Sequence, residues 1–244
     1  RWDEYRLTRE QVTDPTNAQT YQTDYSYDVV GNRLNRTSTP YNQPAVSNDY
    51  TFNNADQLLA ENGIIYTYDL NGNLATKTNV NGTTTYEYDF EDKLVKVTSA
   101  AGVVSYQYDA DGNRVSATSS ETKRYLVDTN RSLAQVLSEY ATTGSTITAY
   151  VYADDLVSMT RGGVTSYYHF DGLGSTRLLT NEAGTVTDTY GYDAFGNLLA
   201  HTGTAVNDFR FTGQQYDANV GFYYLRARYY QPNIGRFTAL DPYS

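Results

Sequence analysis

One pattern limits what this chain can fold into: a tyrosine pair, Tyr-x-Tyr, followed by Asp and a turn, returning every twenty residues. Tyr66-Thr67-Tyr68-Asp69 leads to Gly72-Asn73-Leu74, Tyr86-Glu87-Tyr88-Asp89 to Asp92-Lys93-Leu94, and Tyr106-Gln107-Tyr108-Asp109 to Gly112-Asn113-Arg114. Earlier copies are Tyr25-Ser26-Tyr27-Asp28 with Gly31-Asn32-Arg33 and the degenerate Tyr50-Thr51-Phe52-Asn53; a late one is Tyr190-Gly191-Tyr192-Asp193 with Gly196-Asn197-Leu198. A fixed short period means repeated supersecondary units that bury one another's faces.

The chemistry of one unit follows from its residues. Tyr at i and i+2 puts two rings on one face of a strand. The Asp accepts a backbone N–H two residues on and starts a turn. Gly supplies positive φ, and the Asn beside it tolerates the same region. Asp-x-x-Gly-Asn therefore reads as a hairpin loop of four or five residues. A second strand follows, as in 74–78, and a second turn at Asn81-Gly82, Ala101-Gly102 or Ala183-Gly184. Each unit is two antiparallel strands and two turns. A lone hairpin is marginal in water, so the units are expected in series.

Composition agrees. There are 26 Tyr against 8 Phe and one Trp, and only 5 Pro in 244 residues. Tyrosine suits a half-buried pleated surface. The pattern loosens over 125–174, where Tyr125-Leu126-Val127-Asp128 and Tyr150-Val151-Tyr152 are drifted copies. Ser132 to Tyr140 carries helix-forming residues but is read as strand from its repeat context. The expected class is all-β: stacked antiparallel hairpins in series.

The net charge of −10 disfavours a nucleic-acid partner, since phosphates are bound by Lys and Arg. No apolar run reaches the length of a membrane span, so no membrane insertion is expected. With no cysteine there is neither a disulfide framework nor a thiolate metal site. Arg1-Trp2-Asp3-Glu4 is not a signal peptide. The chain reads as a piece of a longer one.

Taken together, Tyr-x-Tyr-Asp-x-x-Gly-Asn-Leu/Arg resembles the YD repeat of RHS proteins, wall-associated repeat proteins, the C components of Tc toxin complexes and teneurins. His169-Phe170-Asp171-Gly172-Leu173-Gly174-Ser175-Thr176 resembles a segment near the end of an RHS core. Arg210-Phe211-Thr212-Gly213-Gln214, then 221–230, Gln231-Pro232, Gly235-Arg236-Phe237 and Asp241-Pro242 are similar to the RHS-associated core signature. The resemblance covers essentially the whole chain. It implies that the stacked hairpins form a long curved or spiralling antiparallel sheet, part of a hollow shell, with a repeat strip over residues 1–208 and a core motif over 209–244 that continues it. It also implies a shell that encapsulates or presents a C-terminal toxin or effector, with further repeats of a longer chain as partners. The place implied is secreted or at a bacterial cell surface, through a specialised secretion system.

The same resemblance makes Asp241 the first aspartate of an autoprotease motif. The second Asp-Pro motif, roughly twenty residues on, is not in this sequence. Aspartyl chemistry needs two carboxylates sharing a proton, so no enzymatic activity is expected of this chain. Gln231 stands where many RHS cores carry Asp, a choice closer to Tc-type C components.

Other candidates carry blander readings. Tyr224, Arg226, Arg228 and Tyr230 share one face by strand alternation; they form either an anion or cargo contact, or a group supporting the protease site, or an arginine stacked between tyrosines and paired with a carboxylate. Arg236 belongs with them. His169 is read as a hydrogen-bonded structural histidine, with no metal and no cofactor implied. The Asp109–Asn113 loop faintly resembles a calcium loop but lacks the closing Glu. Asn35-Arg36-Thr37, Asn81-Gly82-Thr83 and Asn130-Arg131-Ser132 are glycosylation sequons only where a glycosylating pathway exists. Tyrosine rows also suit adhesion or glycan binding, and unpaired strip edges favour edge-to-edge self-association.

Overall fold

A computed structural model describes residues 2–3, 6–13, 20–131 and 133–241. The chain is all-β; the one helical turn among the described residues is a 3-10 turn at Phe211–Gly213. It divides into two compact units, Arg1–Thr85 and Tyr86–Ser244, with the division inside strand Gly82–Tyr88.

In the first unit, strands Arg9–Val12, Tyr21–Tyr27, Arg33–Pro40, Val46–Phe52, Leu58–Glu61, Ile64–Tyr68 and Leu74–Asn79 each pair antiparallel with the next. In the second, eleven strands from Leu94–Ser99 to Leu198–Thr202 do the same. This is the serial hairpin arrangement the twenty-residue period predicts. The ambiguous stretch is strand Gln135–Ala141; Ser132 lies outside the described residues.

The Asp loop closes as its chemistry requires. Asp109 Oδ1 accepts from the backbone N–H groups of Asp111 (3.0 Å) and Asn113 (2.8 Å), and Asn113 Nδ2 donates to Oδ2 (3.1 Å). Asp28, Asp69 and Asp193 repeat the arrangement. These carboxylates accept hydrogen bonds within their own turns.

The two tyrosines of a pair are not equivalent. The register shifts by one residue before the second, at Ser26/Tyr27, Thr67/Tyr68, Gln107/Tyr108 and Gly191/Tyr192. Such a bulge bends the strand and re-aims the side chain. The first ring stays in the core: Tyr25, Tyr50, Tyr66, Tyr86, Tyr106, Tyr125, Tyr150, Tyr168 and Tyr190 are all buried. In three units the second reaches back to a main-chain carbonyl, Tyr27 Oη to Leu7 O (2.8 Å), Tyr68 to Leu58 O (3.1 Å), Tyr108 to Leu94 O (2.7 Å). That hydroxyl ties one unit to the previous one, and phenylalanine could not do it.

The residues after Gln214 form a separate four-stranded sheet within the second unit: Gln215–Asp217, Phe222–Leu225, Arg228–Gln231 and Arg236–Phe237. Their apolar face covers the unit's tyrosine row. In this unit the tyrosine row is a packed interface.

Candidate site: the docking of the C-terminal sheet

Three kinds of contact hold the C-terminal sheet. Rings meet rings: Tyr86 stacks on Phe222 (5.9 Å) and Tyr106 lies against Tyr229 (5.4 Å). Burial pushes the Tyr86 hydroxyl up to about 12. Hydroxyls and amides meet main chain: Tyr223 donates to Gly196 O (3.0 Å), Tyr230 to Phe195 O (3.0 Å), Tyr88 to Thr238 O (3.2 Å), and Asn197 Nδ2 to Pro232 O (3.1 Å). The loop of the late repeat, Asp193 to Asn197, is thus both a turn and a docking surface.

The third contact is ionic and buried. Arg114 occupies the repeat position where sister units carry Leu58, Leu74 and Leu94, or Arg33, all buried. A guanidinium placed there is desolvated and needs partners, which its NH1 and NH2 find and its buried Nε does not. Its NH1 lies 3.0 Å from Asp217 Oδ2 and donates to Tyr229 Oη (2.8 Å); its NH2 donates to Gln215 Oε1 (2.7 Å). The Arg114 backbone N–H donates to Tyr224 Oη (3.0 Å). Rings of Tyr224 (4.3 Å), Tyr125 (5.0 Å) and Tyr106 (5.5 Å) surround the cation. Both charged side chains are almost sealed, 1% and 4% exposed.

Gln215 continues the network. Its Nε2 lies 3.5 Å from Glu139 Oε1, a carboxylate with no exposure. Glu139 Oε1 accepts from Tyr150 Oη (3.1 Å), and Oε2 sits 3.0 Å from Lys123 Nζ and 3.7 Å from Arg161. Lys123 also pairs with Asp208 (2.9 Å). Burial and the neighbouring Asp208 carboxylate raise the Glu139 carboxyl above its ordinary range, against the pull of Lys123. Burial lowers the Lys123 ammonium, but Asp208 and Glu139 outweigh it and leave it raised.

The positions singled out in the sequence fall as follows. Tyr224, Arg226, Arg228 and Tyr230 do not share a face. Arg226 adopts φ 60° and forms a tight turn with Ala227, so Tyr224 stands opposite Tyr229, and Tyr230 opposite Tyr223. Alternation fails because the run is a hairpin, not one strand. Arg226 donates to Ala134 O (2.9 Å) and Gln214 Oε1 (3.1 Å). Arg228 lies over the Phe237 ring (3.8 Å) and pairs with Asp241 (2.9 Å). Arg236 is half-buried opposite Gln231. Pro242 lies outside the described residues. His169 Nε2 is 3.0 Å from Thr180 Oγ1, and no metal-binding group of side chains occurs among the described residues. Arg114 was visible only as a member of the repeat's Leu/Arg position, shared with Arg33. Lys123, Glu139, Asp208, Gln215 and Asp217 carried no signal beyond being charged or polar in strand-like surroundings.

A family model described as Teneurin YD-shell matches residues 3–244. The chain belongs to this family. It is a structural YD-shell segment. The tRNA3(Ser)-specific nuclease WapA of Bacillus spizizenii is 33% identical over 224 residues, which are 90% of this chain and 10% of that protein. Toxin protein Tse5 of Pseudomonas aeruginosa is 32% identical over 77 residues, 32% of this chain and 6% of that protein. This YD-shell segment therefore spans about a tenth of the WapA relative's length. Among solved structures, a chain of the Photorhabdus luminescens Tc holotoxin pore shares the fold, with a TM-score of 0.50 at 19% identity, covering 98% of this chain and 16% of that one.

Proposed function

We propose that this YD-shell segment walls off or presents a polypeptide cargo, a C-terminal toxin or effector carried by a longer chain with further repeats. The observation that carries the reading is the nuclease-named relative at 33% identity, of which the segment corresponds to only a tenth. A toxin-named relative matches as well. The segment supplies wall and closure: serial hairpins make the wall, and the C-terminal sheet is fastened to it through Arg114. On this reading it performs no turnover itself, and it works outside the cytoplasm, secreted or at a bacterial surface. Residues 209–244 then serve as a closing element continuous with the strip over 1–208.

The test is protection from proteolysis. A reporter polypeptide joined after Ser244 is digested with and without the segment attached. Slower digestion of the attached reporter is expected, and Asp217→Ala, which unfastens the C-terminal sheet, should restore the fast rate. Equal rates for attached and free reporter sink the proposal.

A further inference from the structure

In the second unit two carboxylates converge on one amine. Lys123 Nζ, on strand Thr122–Asp128, lies 2.9 Å from Asp208 Oδ2 and 3.0 Å from Glu139 Oε2. Glu139 stands on the neighbouring strand Gln135–Ala141. Asp208 belongs to the connection between the last wall strand, Leu198–Thr202, and the C-terminal sheet, 85 residues from Lys123.

The surroundings hold all three in place. Glu139 has no exposure; Oε1 accepts from Tyr150 Oη (3.1 Å), and Thr148 Oγ1 lies 3.4 Å from Oε2. Arg161, 3.7 Å away, is the other cation that faces it. The main chain around Asp208 is tied on both sides. Asn207 bonds the Phe209 main chain through Nδ2 (2.8 Å) and Oδ1 (2.9 Å), and Tyr168 Oη donates to that same Oδ1 (2.8 Å). The Tyr216 N–H donates to Asp208 O (2.6 Å), and Phe209 packs edge-on against Tyr150 (5.0 Å). The exposure that remains, 29% of Lys123 and 15% of Asp208, leaves a path for a small leaving group.

We infer that Lys123 and Asp208 condense into an isopeptide bond, with Glu139 as the catalytic proton relay. Two carboxylates hold Lys123 protonated against the effect of burial, so the amine becomes a nucleophile only by passing a proton to one of them. Desolvation favours that transfer, because it discharges a buried pair. Glu139, whose carboxyl burial and Asp208 raise, is placed to take the proton. Nζ then attacks Asp208 Cγ, the Nζ–Cγ bond forms, and one Cγ–Oδ bond breaks. Of the three ammonium protons, one stays on the amide nitrogen and two leave with the Asp208 oxygen as water. Glu139 returns what it received, so nothing is oxidised, reduced or consumed. Fixed geometry supplies the high effective concentration such a step needs. The product staples the wall to the connection that leads into the C-terminal sheet. It forms once per chain, is not turnover, and does not depend on what the wall encloses.

The same unit contains its own control. Lys96 lies 2.7 Å from Glu87, but the two are 41% and 53% exposed, and no second carboxylate reaches Lys96 among the described residues. That pair should stay ionic.

The test is mass spectrometry of the 244-residue chain, intact and after trypsin. The folded chain should be lighter than its sequence by one water, and digestion should release a peptide joining the Lys123 and Asp208 segments. Lys123→Arg and Asp208→Ala should each keep full mass. Glu139→Gln should slow formation of the joined peptide, on refolding from urea, at least about a hundredfold. The joined peptide of the parent chain decides the matter even where a variant fails to fold. A folded parent chain of full mass overturns the inference. So does water loss without the joined peptide, as dehydration at Asp111-Gly112 would give. An unchanged rate in folded Glu139→Gln overturns the relay.

Discussion

Replacing Arg114 by leucine gives it the residue that Leu58, Leu74 and Leu94 supply at that position in other units, and the repeat alone predicts a mild effect. The docked sheet predicts the opposite. Asp217 would be left 4% exposed with its partner gone, and Gln215 would lose its donor. Removing one member of a buried pair costs about 3–5 kcal/mol, because the remaining charge stays buried. The backbone bond from Arg114 N–H to Tyr224 Oη survives the change, so the loss isolates the guanidinium. A change of that size in a unit of this length lowers the melting midpoint by roughly 6–20 °C. The assay is urea and thermal unfolding followed by near-UV tyrosine dichroism, with Arg114→Leu, Asp217→Leu and the double variant. Each single substitution should be strongly destabilising. The double should recover most of the loss, since two apolar side chains of suitable volume replace a desolvated pair. A single Arg114→Leu loss below about 1 kcal/mol, or strictly additive losses, would refute the claim that this ion pair fastens the sheet.

Other consequences are simpler. Glu139, raised by burial and Asp208, binds its proton more tightly folded than unfolded, so its contribution to stability falls as pH rises from the ordinary carboxylate value through its folded one; Glu139→Gln should flatten that part of the stability–pH curve, and an unchanged slope would dismiss the assignment. Tyr108→Phe removes the 2.7 Å bond to Leu94 O and should cost about 1 kcal/mol in urea unfolding. Asp69→Ala strips the acceptor from two loop N–H groups and should cost about 1–2 kcal/mol, comparable to loss of a helix cap.

Most of the wall was legible, and the reason is the repeat itself. The Asp loops, the strand Gln135–Ala141 and the serial pairing all follow from residues within one unit and its neighbour, where local chemistry decides. The C-terminal hairpin was misread because nothing in Leu225-Arg226-Ala227-Arg228 signals a turn: Arg226 takes a positive φ with neither Gly nor Asn to announce it. That conformation costs a non-glycine residue about 1 kcal/mol or more. The bonds of Arg226 to Ala134 O and Gln214 offset it, and both partners are remote in sequence. The ionic network was invisible for a related reason. Glu139 and Lys123 look like ordinary strand charges until Asp208 and Gln215, some seventy to ninety residues on, close over them.

Glycine shows how one motif position acquires two jobs. Gly31 and Gly196 both follow an Asp loop and both have positive φ, 98° and 91°. A Cβ on Gly31 would meet nothing within 4 Å, whereas one on Gly196 would lie 2.5 Å from Phe211 Cδ1. Gly31→Ala therefore pays only backbone strain, about 1 kcal/mol. Gly196→Ala adds a clash with a ring wedged between Tyr192 and Tyr223, which calls for a further 1–3 kcal/mol of overpacking. It also displaces the carbonyl that accepts from Tyr223. Unfolding curves should separate the two substitutions by at least that margin, and Gly196→Ala alone should expose the C-terminal sheet to proteolysis. If both behave alike, the late repeat's loop is a turn and nothing more, and its part in holding the C-terminal sheet is lost with it.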